Sequence, residues 1–232
     1  MPGTTHPLEP LDAARTRLRV RRRRLVDERD AFDRFCRRVE TLPTAEAVDV
    51  PDAVLAVTTR TERGPQALRA TYDETVLTVP HIDEDDASIP PFDDLLSQST
   101  RAELRWAARL TPALRAAVLD DATAAHERRV DRIGAVDAEL ATLDRTEAVA
   151  RDLLAVESST DPATDDEARL ASLDRRCRRH AARRRARLAR RADADTPPLP
   201  PDFYGDLDVA DPVLSVLDAV RDLLPRVTER SD

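Results

Sequence analysis

The sequence predicts an all-α protein, an elongated antiparallel helical bundle of coiled-coil-like character with a short helix docked at its C-terminal end. Three observations lead there. Four glycines in 232 residues leave few positions for the tight turns of an all-β chain or for a Gly-rich nucleotide loop. The strong helix formers Ala, Leu, Arg and Glu dominate the composition. Apolar residues return at heptad spacing across long stretches.

Residues 1–10 read as a loose, disordered tail. From Leu11 to Leu42 a helical pattern runs without Gly or Pro, with Leu11, Leu18, Leu25, Phe32 and Val39 repeating every seven residues. A second row holds Ala14, Phe35 and Leu42 and is interrupted by Arg21 and Glu28. Such a stripe needs a partner helix, in the same chain or in another copy. Pro43 ends the helix. Residues 43–64 suit either a short helix or an extended crossing, and Gly64-Pro65 is punctuation. Leu68, Tyr72, Val76 and Val79 then share one face of a second helix, starting at Gln66 and stopped by Pro80. Residues 81–94 form an acidic loop. Ser99 or Thr100 can cap a short helix carrying Leu104 and Trp106, with Glu103 completing a capping box after Thr100. Thr111-Pro112 supplies another cap and a proline in the first helical position.

The helix opening at Pro112 is expected to reach Val156. Leu119, Ile133, Leu140 and Leu154 lie on one heptad row, shared with His126 and Glu147; Val136, Leu143 and Ala150 lie on the adjoining row with Arg129. Gly134 inside it costs about 1 kcal/mol against Ala. At 1.5 Å per residue the helix would extend about 65 Å, which argues for an elongated molecule or a bend. A polar break at 158–164 precedes a helix over 164–192 carrying Leu170, Leu173, Cys177, Ala181 and Leu188. Four prolines between 197 and 201 stiffen a linker. Asp211-Pro212 opens a last, apolar helix that must dock. The expected organisation is therefore a tail over 1–10, a helical bundle over 11–192, a Pro-rich linker over 193–202 and a C-terminal helix over 203–232 packed on the bundle.

All 37 basic residues are Arg, and 45 Asp and Glu give a net charge of −8. Charged residues make up 35% of the chain, against about 25% in ordinary domains. Arg without Lys and Asp in excess of Glu suggest a chain built for high salt, because carboxylates hold water and guanidinium is weakly hydrated. A GC-rich genome pushes composition the same way. No apolar run approaches the roughly 20 residues of a membrane span, the first residues lack the apolar core of a secretory signal, and two isolated cysteines, Cys36 and Cys177, form no disulfide framework. The expected location is the cytoplasm.

Chemistry-bearing motifs are sparse. Ten Arg and no acid lie between Arg175 and Arg191. Such a tract can contact phosphate, with Arg175, Arg178, Arg179, Arg183 and Arg185 as the candidate nucleic-acid contacts; the leading reading is that it pairs with carboxylates of neighbouring helices, since the chain is net acidic and helical Arg project all round. His81, Asp83, Glu84, Asp85 and Asp86 offer oxygen ligands and an imidazole but lack the spacing of a calcium loop. His126-Glu127 has no second histidine at Val130, so it is no zinc-protease motif. His180 among arginines is disfavoured in its charged form, and both cysteines read as small buried hydrophobes. No catalytic, cofactor or metal residue is assigned.

Three stretches, Arg24–Val39, Ala70–Asp85 and Phe203–Val220, resemble a haloarchaeal family of unknown function. The resemblance rests on Glu28, Arg29, Asp30, Ala31 and Phe32 in the first helix, where Asp30 separating Arg29 from Ala31 is a departure, on Tyr72, Glu74, Thr75, Val76, Val79, Pro80 and His81, and on Tyr204, Pro212, Val213 and Leu214. It spans about residues 10–224. Where the family carries an acidic-aromatic run with a Tyr after the histidine, this chain has Ile82-Asp83-Glu84-Asp85-Asp86. The resemblance implies a helical fold and a haloarchaeal source, and it supplies no activity. It marks Tyr72, Glu74 and His81 as a candidate site, or as a hydrogen-bonded joint between helix and loop. The leading expectation is a non-enzymatic structural or interaction protein that binds an unidentified protein or itself, without cofactor, metal or membrane. A nucleic-acid-associated regulatory factor comes second, and a hydrolytic or metal-dependent enzyme around Tyr72, Glu74 and His81 third.

Overall fold

The computed structural model describes residues 7–45, 64–79, 89–157, 166–192, 203–205, 207 and 209–231. The tail before residue 7, the segment 46–63, the acidic loop with His81, the break after residue 157 and the linker 193–202 lie outside them. Seven helices and no strand occur among the described residues: α1 (Glu9–Glu40), α2 (Gly64–Thr75), α3 (Phe92–Leu95), α4 (Gln98–Trp106), α5 (Pro112–Glu157), α6 (Asp166–Ala192) and α7 (Pro212–Ser231). The all-α class is as the composition and spacing predict.

Helix ends follow side-chain chemistry. α1 begins at Glu9, inside the expected tail, because Leu8 is buried and its carbonyl accepts from Leu11 N at 2.9 Å. α2 ends at Thr75, a turn earlier than the apolar face suggests; Val76 and Val79 continue that buried face in a turn. α4 is capped by Ser97, whose hydroxyl accepts from Thr100 N at 3.3 Å, rather than by Ser99 or Thr100. Those two sit inside the helix, and Thr100 is buried. Thr111 caps α5, its Oγ1 accepting from Leu114 N at 3.1 Å. Asp211 caps α7 by accepting from Leu214 N at 2.9 Å.

The chain divides into two compact units, residues 1–22 with 135–232 and residues 23–134. α1 and α5 contribute to both. In the unit 23–134, the C-terminal half of α1 and the N-terminal half of α5 run antiparallel: Glu28 meets Arg129, and Arg115 donates to the carbonyls of Glu40, the last residue of α1, and of Leu42 just beyond it. α2 to α4 complete a core containing Phe32, Phe35, Tyr72, Phe92, Leu104 and Val118. Four of the chain's seven aromatics meet there, Phe35 and Tyr72 edge to face at 5.4 Å between centroids.

In the other unit, Arg15 with Glu147 at 2.5 Å and Arg22 with Asp137 at 2.6 Å set α1 against α5 in the same antiparallel sense. α6 returns along α5, with Glu139 opposite Arg184, Thr146 opposite His180 and Asp152 opposite Arg176. α7 lies on α6 and buries Val213, Val216, Leu217 and Val220.

Candidate functional site

The heptad row Leu11, Leu18, Leu25, Phe32 and Val39 is buried throughout. On α5 the buried row is the adjoining one, Val136, Leu143 and Ala150, together with a third row carrying Glu139, Thr146 and Leu153. Leu119, Leu140 and Leu154 are only half-buried. This third row is hidden in the sequence because its members are an acid and a threonine as often as an alkyl group. It is also where the most developed polar constellation lies.

Glu139 and Arg184 are each 2–3% exposed. Arg184 Nη1 donates to Glu139 Oε2 at 2.9 Å, Nη2 lies 2.6 Å from Oε1, and Nε donates to Asp211 Oδ2 at 2.8 Å. The hydroxyl of buried Tyr204 donates to Glu139 Oε1 at 2.7 Å. A single chain of bonds thus runs from Tyr204 through Glu139 and Arg184 to Asp211 and the first turn of α7. Arg187, 3.9 Å from Glu139, brings the carboxylates and guanidiniums to two of each. Burial alone would push the Glu139 carboxyl up, but the Arg184 hydrogen bond and charge, helped by Tyr204, hold it below its ordinary value. Burial would lower Arg184, and Glu139 and Asp211 overturn that and raise it. Tyr204 is pushed well up, first by burial and then by the Glu139 charge.

Two turns along α5, Thr146 Oγ1 lies 2.9 Å from His180 Nε2 and 2.8 Å from the Thr142 carbonyl. The Thr142 carbonyl can only accept, so a Thr146 hydroxyl that donates to it leaves Nε2 as the donor to Thr146, the arrangement of an Nε2–H tautomer. Burial, with the charges of Arg145, Arg184 and Arg183, holds this imidazole below its ordinary value. The crowding expected from the neighbouring arginines is present, though burial leads and Arg145 comes from α5.

The unit 23–134 has its own buried pair. Arg129 Nε donates to Glu28 Oε2 at 3.2 Å, with the side chains 5% and 4% exposed. Arg129 also donates to the Ala125 carbonyl, and its guanidinium lies 4.6 Å from the Phe32 ring centre. Burial lowers Arg129 despite Glu28. Glu28, which interrupts the second row of α1, is therefore a buried ion-pair partner.

Of the Tyr72, Glu74 and His81 set, Tyr72 is fully buried and donates to the Pro90 carbonyl at 2.6 Å. Burial, the leading cause, pushes its hydroxyl well up. Glu74 is exposed and pairs with Arg38 at 2.5 Å. The two side chains are engaged in different places, and His81 lies outside the described residues, as do Asp83 to Asp86.

Among the arginines of α6, Arg178 pairs with Asp174 at 2.9 Å and Arg185 lies 3.4 Å from Asp218. Arg175, Arg179 and Arg183 are exposed, and among the described residues they meet no carboxylate. Cys36 is half-buried and Cys177 buried, both free; burial raises both thiols. No group of three or more His, Cys, Asp or Glu able to hold a metal ion occurs among the described residues, and no helix there is long and apolar enough to cross a membrane.

Neither a curated protein nor a solved structure matches the chain. A family defined as a domain of unknown function, DUF7260, matches residues 9–228. That interval takes in both buried ion pairs, the aromatic core and the arginine face of α6, and on it the chain belongs to the DUF7260 family.

Proposed function

We propose that the protein is a non-enzymatic structural or protein-interaction module, a coiled-coil-like scaffold working in a saline cytoplasm of haloarchaeal type. The carrying observation is that the side chains best equipped for acid–base work are used up inside the helices. Glu139 is held by Arg184 and Tyr204, Asp211 by Arg184 and a helix cap, and the Tyr72 hydroxyl by a backbone carbonyl. A general base needs reach to a substrate proton, and these groups are turned toward one another. Tyr72, Glu74 and His81 read better as a structural joint than as a catalytic set, with Tyr72 and Glu74 already committed to Pro90 and Arg38. The lone tryptophan supports an interaction role. Trp106 is 83% exposed, and aromatic residues are enriched where proteins meet.

Light scattering in molar KCl tests this reading. The wild-type chain is expected at a multiple of its 25.9 kDa mass, and Trp106→Ala at a smaller multiple or as a single chain. Single-chain mass for both proteins, with nothing retained from lysate by the wild type and lost by Trp106→Ala, would contradict it.

A further inference from the structure

We propose that the solvent face of α6 binds the phosphate backbone of duplex nucleic acid through Arg175, Arg179, Arg183 and Arg190. The inference goes beyond the scaffold reading and does not depend on it.

Sequence alone cannot rank the ten arginines of this tract, because a helix sends them in every direction. The fold sorts them. Cys177, Ala181 and Arg184 mark the buried side of α6. The arginines flanking that side are neutralised: Arg176 by Asp152, Arg178 by Asp174, Arg185 by Asp218. Arg187 leans toward Glu139. Arg175, Arg179, Arg183 and Arg190 point the opposite way, at 100° per residue within one quadrant of the helix. All four are exposed, and among the described residues no carboxylate lies within ion-pair distance of them.

The resulting stripe has a shape. Successive arginines four residues apart rise about 6 Å along the axis, and Arg175 to Arg190 covers about 22 Å. A duplex presents one negative charge per roughly 1.7 Å of its axis, so a rod of guanidiniums this long meets many phosphates. Between the arginines the same face carries the exposed alanines Ala182, Ala186 and Ala189, which let a backbone approach. The face offers no aromatic or large alkyl anchor of the kind a protein partner would bury. The chain has no Asn or Lys, and the stripe itself has only Arg and Ala in view. Guanidiniums spaced along one face can lie along a phosphate backbone and fix a protein's position on it. Guanidinium matches phosphate geometry through paired N–H groups. The net charge of −8 slows the approach of a polyanion from a distance, while the stretch from Arg175 to Arg191, which contains no acid, sets the field at contact.

The test is fluorescence anisotropy of a labelled duplex of arbitrary sequence with the full chain, over a KCl series in which circular dichroism shows the helices intact. Four phosphate contacts imply that a fourfold rise in KCl weakens wild-type binding by about 150-fold. Arg175→Gln with Arg179→Gln and Arg183→Gln leaves one contact, and the same rise then weakens binding only about 3-fold. Arg178→Gln with Arg185→Gln, whose partners are Asp174 and Asp218, keeps the wild-type salt dependence. The proposal is overturned by no wild-type binding at the lowest salt that preserves the helices, or by a triple variant indistinguishable from wild type. It is overturned equally if polyglutamate displaces the duplex at matched charge, which would make the stripe a site for an acidic protein.

Discussion

Glu139 shows how one side chain can be misplaced by pattern reading. It stands three residues after Val136 and four before Leu143, the spacing of a buried position, yet its charge assigns it to the surface. Arg184 leads in making its burial tolerable, because a buried ion without a partner costs several kcal/mol. Tyr204 adds a hydrogen bond to a charged acceptor, so Tyr204→Phe should lower stability by about 1.5–3 kcal/mol in urea unfolding. The protonation of this network also fixes a pH response. Glu139 titrates below its ordinary value when folded, so its contribution is complete above the unfolded value of about 4.3 and is lost as pH falls through the folded one. His180 is depressed as well, so its contribution begins to fade below about pH 6.5. Stability measured by thermal melts should therefore decline from near pH 6.5 downward and more steeply below about pH 4. A His180→Gln variant should lose the first part of that decline. Stability flat from pH 7 to 5 in wild type would remove His180 from the account. The residues quoted for the family resemblance fare differently from one another. Glu28, Phe32, Tyr72, Val76, Tyr204 and Val213 are buried, whereas Glu74 faces outward. A motif read in sequence does not distinguish a core position from a surface pair.

At the level of helices, the glycines separate two causes. Gly64 starts α2, and a Cβ there would fall 2.5 Å from Leu110 Cβ and 2.6 Å from its backbone nitrogen. Gly64→Ala is therefore expected to cost about 1–3 kcal/mol through overpacking. A Cβ on Gly134, in the middle of α5, meets nothing within 4 Å, so Gly134→Ala should stabilise by about 1 kcal/mol through helix propensity. Thermal melts of the two variants should move in opposite directions. Asp211 is both cap and ion-pair partner for the last helix. Asp211→Ala should raise amide exchange in α7 at least about fivefold while α1 keeps its protection, since a lost cap alone is worth about 1 kcal/mol. The helices themselves were legible because Leu, Ala and proline-marked starts repeat the same message. Thr111 and Asp211 were readable as caps from the Pro that follows each. Ser97 was not, because Ser99 and Thr100 offer the same chemistry two and three residues on. The apolar row of α1 was readable for the same reason that half of α5 was not. The first is alkyl and aromatic throughout, and the second is threaded with Arg129, Glu139, Thr142 and Thr146.

For the molecule as a whole, charge is the dominant design variable. Ion pairs such as Arg38 with Glu74 and Arg69 with Asp93 are exposed and are worth at most about 1 kcal/mol each. Salt weakens such pairs, but it also screens repulsion among the excess carboxylates. If the chain is built for brine, the melting temperature should rise by several degrees between dilute buffer and molar KCl, at about 2–4 °C per kcal/mol for a chain of this size. A melting temperature that falls or stays level would favour codon bias as the source of the composition. Function was the least legible property, because composition and spacing report burial and solvent while the decisive polar groups pair over long sequence distances. Glu139 and Arg184 are 45 positions apart, and no local pattern joins them. Their pairing is also the most exposed point of the account. A double-mutant cycle with Glu139→Ala, Arg184→Ala and the double variant, followed by urea unfolding in molar KCl, measures it directly. Each single variant should cost about 3–5 kcal/mol and the double variant little more than either one. Single losses below about 1 kcal/mol that simply add would mean that the two charges reach water, and that the polar chain from Tyr204 to α7 does not hold these helices together.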